Sequence, residues 1–316
     1  MTDTNLEMRA AALPHLAHDR LLAAMRVVES LPPPARGALL VGSQEEPLGT
    51  ILIEANRVCW GAAAGMSGRL RDILRSHAST SIREEELEAI CTRCKRECRP
   101  LADALVGEGW VSPAHMRAAL KQHTIESLLA VDDAVASMAR GVREWPMLWI
   151  DHAGSGYEPR YTFGAVELVA GAGAQRLDHD DAERMTAHLE SLADRNSALV
   201  ASSYRPDGTP LFVGAATQLP LDLSDLIDLT TWAEAALGAS PGFSPAVAQA
   251  CLQAAHGGAV AWRYHGQCCA AICLDGASLQ RLTTTLRNHS LALVLATRTA
   301  VLDRVQARSH RFGEGD

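Results

Sequence analysis

The sequence predicts an α+β protein of two domains. Three observations carry that expectation. The chain has 316 residues, more than one domain commonly holds. Short apolar runs are joined by turn residues at close range, which builds antiparallel hairpins and not crossover units. Between them lie stretches with apolar residues three and four apart, the helical period. A hydrophobic content of 47% supplies enough side chains for packed cores.

From the start, residues 9–30 read as an amphipathic helix carrying Leu13, Leu16, Leu21, Met25 and Val28. Pro32-Pro33-Pro34 ends it and marks a linker, so residues 1–34 are expected to be separable. Gly37–Gly42, Gly49–Ile53 and Arg57–Gly61 read as strands, the last two joined through Glu54-Ala55-Asn56. Gly68–His77 is then helical. Leu101–His123 reads as a helix pair, with Gly109 at a helix end and Ser112-Pro113 as an N-cap with proline in the first turn.

The second half repeats a simpler pattern. Arg184–Asn196 is helical, with Met185, Leu189 and Leu192 on one side. Ser197–Ser203 and Leu211–Ala215 flank Pro206-Asp207-Gly208, a hairpin signal. Asp222 and Ser224 are candidate N-caps. After them Leu226, Leu229, Trp232, Ala233, Ala236 and Leu237 share a face. Ala259–His265 and Cys268–Leu274 form a second hairpin across Gly266-Gln267. Leu279–Arg304 reads as one long closing helix, and 305–316 as a polar tail.

Two resemblances follow from these stretches. The motifs YRPDGTPLFVG and HGGAVAWRYHGQCCAAICLDG, in the order helix, hairpin, helix, hairpin, helix, resemble a roadblock/longin-type light-chain domain over residues 184–304. That resemblance implies an α-β-β-α-β-β-α fold that works as a dimer or as a platform for a small Ras-like GTPase, without catalytic residues of its own. The β-meander NRVCWGAAAG leading into GRLRDIL, closed by WPMLWI and TFGAVELV, resembles the PATAN-type domain of bacterial signalling and gliding proteins over residues 35–175. Ile51 and Ile53 stand where that family has an aromatic residue. Within this region, Leu105, Gly109, Val111, Met116 and Leu120 resemble a helical repeat of bacterial secretion ATPases and signalling proteins. In one branch, tandem copies of it bind cyclic di-GMP. This chain has one copy, with Ala102 at a glycine position, and Cβ obstructs close backbone approach to a phosphate.

Composition excludes several classes. Net charge is −8, with no basic stripe, so nucleic acid is not an expected partner. No run reaches the ~18 apolar residues that cross a bilayer, so membrane insertion is not expected. Eight cysteines without an export signal point to reduced thiols and a cytoplasmic protein. Two lysines, Lys95 and Lys121, stand among many arginines, the usage of a GC-rich bacterial genome. HAGSGYE lacks the nucleophile-elbow spacing, and GAGAQ lacks the third glycine of a dinucleotide fingerprint.

The sharpest chemical candidate is Cys91, Cys94 and Cys98, spaced i, i+3 and i+7 on one helical stripe. Three thiols there could hold zinc or an iron–sulfur cluster, and the arginines and lysine among them favour thiolate. The competing reading is a core stripe of Leu87, Cys91, Cys94, Cys98, Leu101 and Leu105, with cysteine as a small hydrophobe. Cys268, Cys269 and Cys273 read as strand core, Cys269 and Cys273 on one face and Cys268 on the other. Ile227, Asp228, Thr231 and Ala235 lie off the apolar face of their helix and are the candidate contact surface of a homodimer. The function expected is that of a non-catalytic signalling or scaffold protein. The alternatives are a metal- or redox-responsive sensor at the cysteine stripe and a cyclic-dinucleotide receptor.

Overall fold

A computed structural model describes residues 20–43, 45–66, 68–77, 82–97, 99–138, 145–151, 159–176, 184–185, 187–189, 192, 198–203, 210–214, 222–238, 248–254, 257–264, 267–287 and 291–295. Helices and sheets of largely antiparallel strands make it an α+β protein. The chain divides into two compact units, Val27–Gly164 and a second made of Met1–Arg26 with Ala165–Asp316.

Helix α1, Arg20–Ser30, carries the apolar stripe expected of it. Leu21, Leu22, Met25 and Val28 are all buried. The triple proline does not set this helix apart. The Asn56 amide donates to the Leu31 carbonyl at 2.6 Å and accepts the Ala35 N–H at 3.0 Å, which pins both ends of the linker. Residues 1–34 were expected to be separable; within them Leu21, Leu22, Ala24, Met25 and Val28 are buried, and 1–19 lie outside the described residues.

Unit 27–164 holds a four-stranded antiparallel sheet in the order β3-β2-β1-β4. Its strands are β1 Arg36–Gly42, β2 Pro47–Glu54, β3 Arg57–Ala63 and β4 Met147–Asp151. The β2–β3 turn places Ala55 and Asn56 at φ 51° and 60°, the left-handed pair that a two-residue hairpin needs. Among the described residues, the α-helices lying wholly within the unit are α2 Arg69–His77, α3 Glu84–Glu97, α4 Leu101–Gly107 and α5 Pro113–Met138. The α4–α5 junction is built as its residues dictate. Gly109 takes φ 78°, and Ser112 Oγ accepts the His115 N–H at 3.2 Å ahead of Pro113. Helix α5 is 26 residues long, about 39 Å at the helical rise. Met116, Leu120, Leu128, Val131 and Val135 form its buried stripe. A Cβ on Gly49 would run into Val131, and one on Gly61 would meet Thr124 at 3.3 Å, so two glycines let β2 and β3 approach α5 closely. Asp132 is buried but accepts the Trp145 indole N–H at 3.0 Å.

The second unit begins with α6, Ala165–Gln175. The expected first domain ran to 175; the compact unit ends at Gly164, and α6 packs on the second sheet. That sheet is six-stranded, in the order β10-β7-β8-β9-β5-β6. Its strands are β5 Ala198–Ser203, β6 Pro210–Gly214, β7 Ala248–Ala254, β8 Gly257–Tyr264, β9 Gln267–Cys273 and β10 Leu291–Leu295. Helix α7 is Leu223–Gly238 and α8 is Gly276–Arg287. The β5–β6 and β8–β9 hairpins fall where the turn chemistry placed them.

Two elements depart from the expectation. Residues 248–254 form an additional antiparallel strand beside β8. The closing helix expected to reach Arg304 stops at Arg287, and Leu291–Leu295 pairs parallel to β7. The run LALVL is continuously apolar, and a short run of that kind suits a strand as well as a helix. Unpaired N–H and C=O groups on the outer edge of β7 decide between them.

Met185, Leu189, Leu192, Leu279, Leu282 and Leu286 pack with Val260, Trp262, Cys269, Ala271 and Cys273 in one core cluster. Ala259, Ala261, Cys268, Ala270 and Ile272 point the other way and are equally buried, so both faces of this sheet are covered. Among the described residues, no helix is long and apolar enough to cross a membrane.

Candidate functional site

The cysteine stripe lies on α3, but its geometry differs from the expected line. The buried residues are Leu87, Ile90 and Cys94, spaced three and four. Cys91 sits beside that line and is half-buried. Cys98 lies outside the described residues. Burial pushes the Cys94 thiol up, against the lowering pull of Arg93 and Arg99. The guanidinium groups therefore do not make it a standing thiolate. Arg93 instead pairs with Glu108, whose carboxyl it holds below the usual range. Among the described residues, no group of three or more His, Cys, Asp or Glu is placed to hold a metal ion.

The strand cysteines behave as core. Cys268, Cys269 and Cys273 are buried, and Cys269 and Cys273 share one face as the two-residue period requires. Desolvation pushes the thiols of Cys273 and of Cys59 up to about 12. Such thiols are inert side chains of the interior.

The candidate contact surface is on α7. Asp222 and Asp225 cap the helix reciprocally. The Asp225 N–H donates to Asp222 Oδ1 at 2.9 Å, and the Asp222 N–H to Asp225 Oδ2 at 3.2 Å. This is a capping box with aspartate in the third position. Leu226, Leu229, Ala233, Ala236 and Leu237 are buried, and α7 packs on β5, β7, β8 and β9. Trp232, expected on that face, is half-buried. Ile227, Asp228 and Thr231 are also half-buried and lie off the core-facing stripe. The Thr231 hydroxyl donates to the Ile227 carbonyl at 2.7 Å, which hides its polar hydrogen. Ala235 is on the same helix, with its side chain outside the described set. The arrangement offers a small, weakly polar patch on a helix whose opposite side is anchored in a sheet.

Two polar arrangements were not anticipated from the sequence. In the second unit, the His188 ring stacks on Tyr264 with centroids 3.7 Å apart, and its Nε2 accepts the Trp262 indole N–H at 3.3 Å. The alternation of β8 puts Trp262 and Tyr264 on one face, but only the fold brings His188 to it. In the first unit, His123 of α5 stacks on Trp60 of β3 at 4.5 Å. One turn on, Glu126 accepts two bonds from Arg69 of α2 at 2.6 and 2.9 Å, and one from Gln122 at 3.0 Å. The signal available in the sequence was KQHTIES, a polar run inside an apolar helical stripe.

Compared with known proteins, the chain matches no family model, no curated protein and no solved structure.

Proposed function

We propose that this chain is a non-catalytic signalling or scaffold protein that acts through protein contacts made by its C-terminal unit. The observation that carries the reading is the order of elements there. The helical residues 184–185, 187–189 and 192, the β5–β6 hairpin, α7, the β8–β9 hairpin and α8 follow one another in the order of the roadblock-type pattern, with β7 and β10 added. The half-buried patch of Ile227, Asp228 and Thr231 on α7 is the proposed contact surface, used in a homodimer and open in principle to a small Ras-like GTPase. A two-fold contact uses one patch twice, so each chain contributes a modest area.

Light scattering on the full chain tests this reading. A mass of two chains at tens of micromolar is the expected result, and Ile227→Arg should return it to one chain while the circular dichroism spectrum stays unchanged. A charge placed twice at a desolvated contact without a partner accounts for that loss. A wild-type mass of one chain would remove the dimer. The burial of Cys94 and the half-exposure of Cys91 favour packing over the sensor reading, and zinc or iron bound stoichiometrically after anaerobic purification would reverse that preference.

A further inference from the structure

The seam between α5 and β3 contains polar groups that the contact function does not use. His123 is only 4% exposed, and Thr124 and Ser127 are more deeply buried. Among the described residues, His123 Nδ1, Thr124 Oγ1 and Ser127 Oγ have no hydrogen-bond partner. The His123 ring lies against Trp60, an environment that suits a neutral imidazole. Glu126, three residues along the same helix, is the opposite case, with all its bonds directed to Arg69 and Gln122. Arg69 is the first residue of α2, so this ion pair ties α2 to α5.

We propose that His123 and Glu126 form an acid-operated latch: protonation of His123 draws Glu126 away from Arg69 and releases α2 from α5. An imidazolium buried without an acceptor is costly. The charges acting on the ring are Glu126 on its own helix and Arg69 from α2. β3 presents Trp60 and Gly61, which do not titrate, and β2 meets α5 further along at Gly49 and Val131. Glu126, three residues on in the same helix, is therefore the carboxylate the imidazolium would turn to, and Arg69 becomes a like charge to be moved away. Burial holds the imidazole below its ordinary value, which places the transition below about pH 6.5. Arg69 holds the Glu126 carboxyl below the usual range, so the acceptor stays ionised as the histidine charges.

Amide hydrogen exchange on the full chain, corrected for the intrinsic pH dependence, reads the latch directly. Protection of residues 69–77 should fall about tenfold between pH 7.5 and pH 5 in the wild type and stay level in His123→Gln. Equal protection at both pH values in the wild type would overturn the latch, as would an equal loss in His123→Gln. Should that variant not fold, Glu126→Gln supplies the decision. It lacks the carboxylate, so α2 should exchange fast at both pH values, and retention of the wild-type step would refute the proposal.

Discussion

The two sheets bury their strands differently. β8 and β9 are buried at nearly every position, whereas β4 at the edge of the first sheet leaves Leu148 45% and Ile150 38% exposed. Helices lie against both sides of the six-stranded sheet, and its strands read as continuous apolar runs. The four-stranded sheet is served mainly by α5, through β3 and β2, and β2 alternates buried with half-buried positions along most of its length. The two histidines differ as well. His188 sits with its Nε2 satisfied by Trp262, while His123 leaves Nδ1 without a partner among the described residues. The covered sheet is not free of such groups, since the buried Gln249 of β7 has no partner for its amide among the described residues.

The same substitution on the two sheets gives the largest expected effect. Ile272→Ala on β9 removes a fully buried side chain, and should cost about 2–5 kcal/mol. Ile150→Ala on β4 should cost less, about 1–2 kcal/mol, since 38% of that residue remains in solvent. Urea midpoints for the pair decide it, and similar losses would show that the edge strand is covered. Next is thiol reactivity. Cys91 should label with a thiol reagent at least tenfold faster than Cys59 or Cys273, whose thiols stand near 12. Mass mapping of the labelled peptides measures it.

The capping box on α7 is a smaller lever. Asp222→Ala removes one acceptor and leaves the helix start open, a loss of about 1 kcal/mol readable in the thermal midpoint. The pH dependence of stability follows in size. Burial lowers the folded pKa of His123, so the unfolded chain binds more protons around pH 6 and stability falls as pH drops. His123→Phe should flatten that slope in denaturation series between pH 8 and pH 5. An unchanged slope would place the acid sensitivity elsewhere. Smallest is Ala55→Gly, which relieves a left-handed alanine and should raise stability by up to about 1 kcal/mol, offset in part by chain entropy.

Much of the architecture was legible in the residues. The caps at Ser112 and Asp222 and the glycine at 109 fix where elements start and stop, because each acts on backbone torsions or on N–H groups within a few residues. The same reasoning fixed the opposite faces of Cys268 and Cys269. It failed at 291–295, where periodicity carries no distinction between a short strand and a helix. The cysteine stripe failed for a related reason. Positions 87, 90 and 94 satisfy helical spacing as well as 87, 91 and 94 do, and only the neighbour that α3 meets selects Ile90 over Cys91.

The sequence by itself determined the α+β class, both hairpins, the α4–α5 junction and the amphipathic face of α7. Those depend on local torsions and on the period of apolar residues. Tertiary structure alone decided that α6 belongs with the second sheet, that β10 closes its edge, and that Trp60, His123, Arg69 and Glu126 meet. Such pairings join residues far apart in the chain, and their energy comes from surfaces that exist only after the elements have packed.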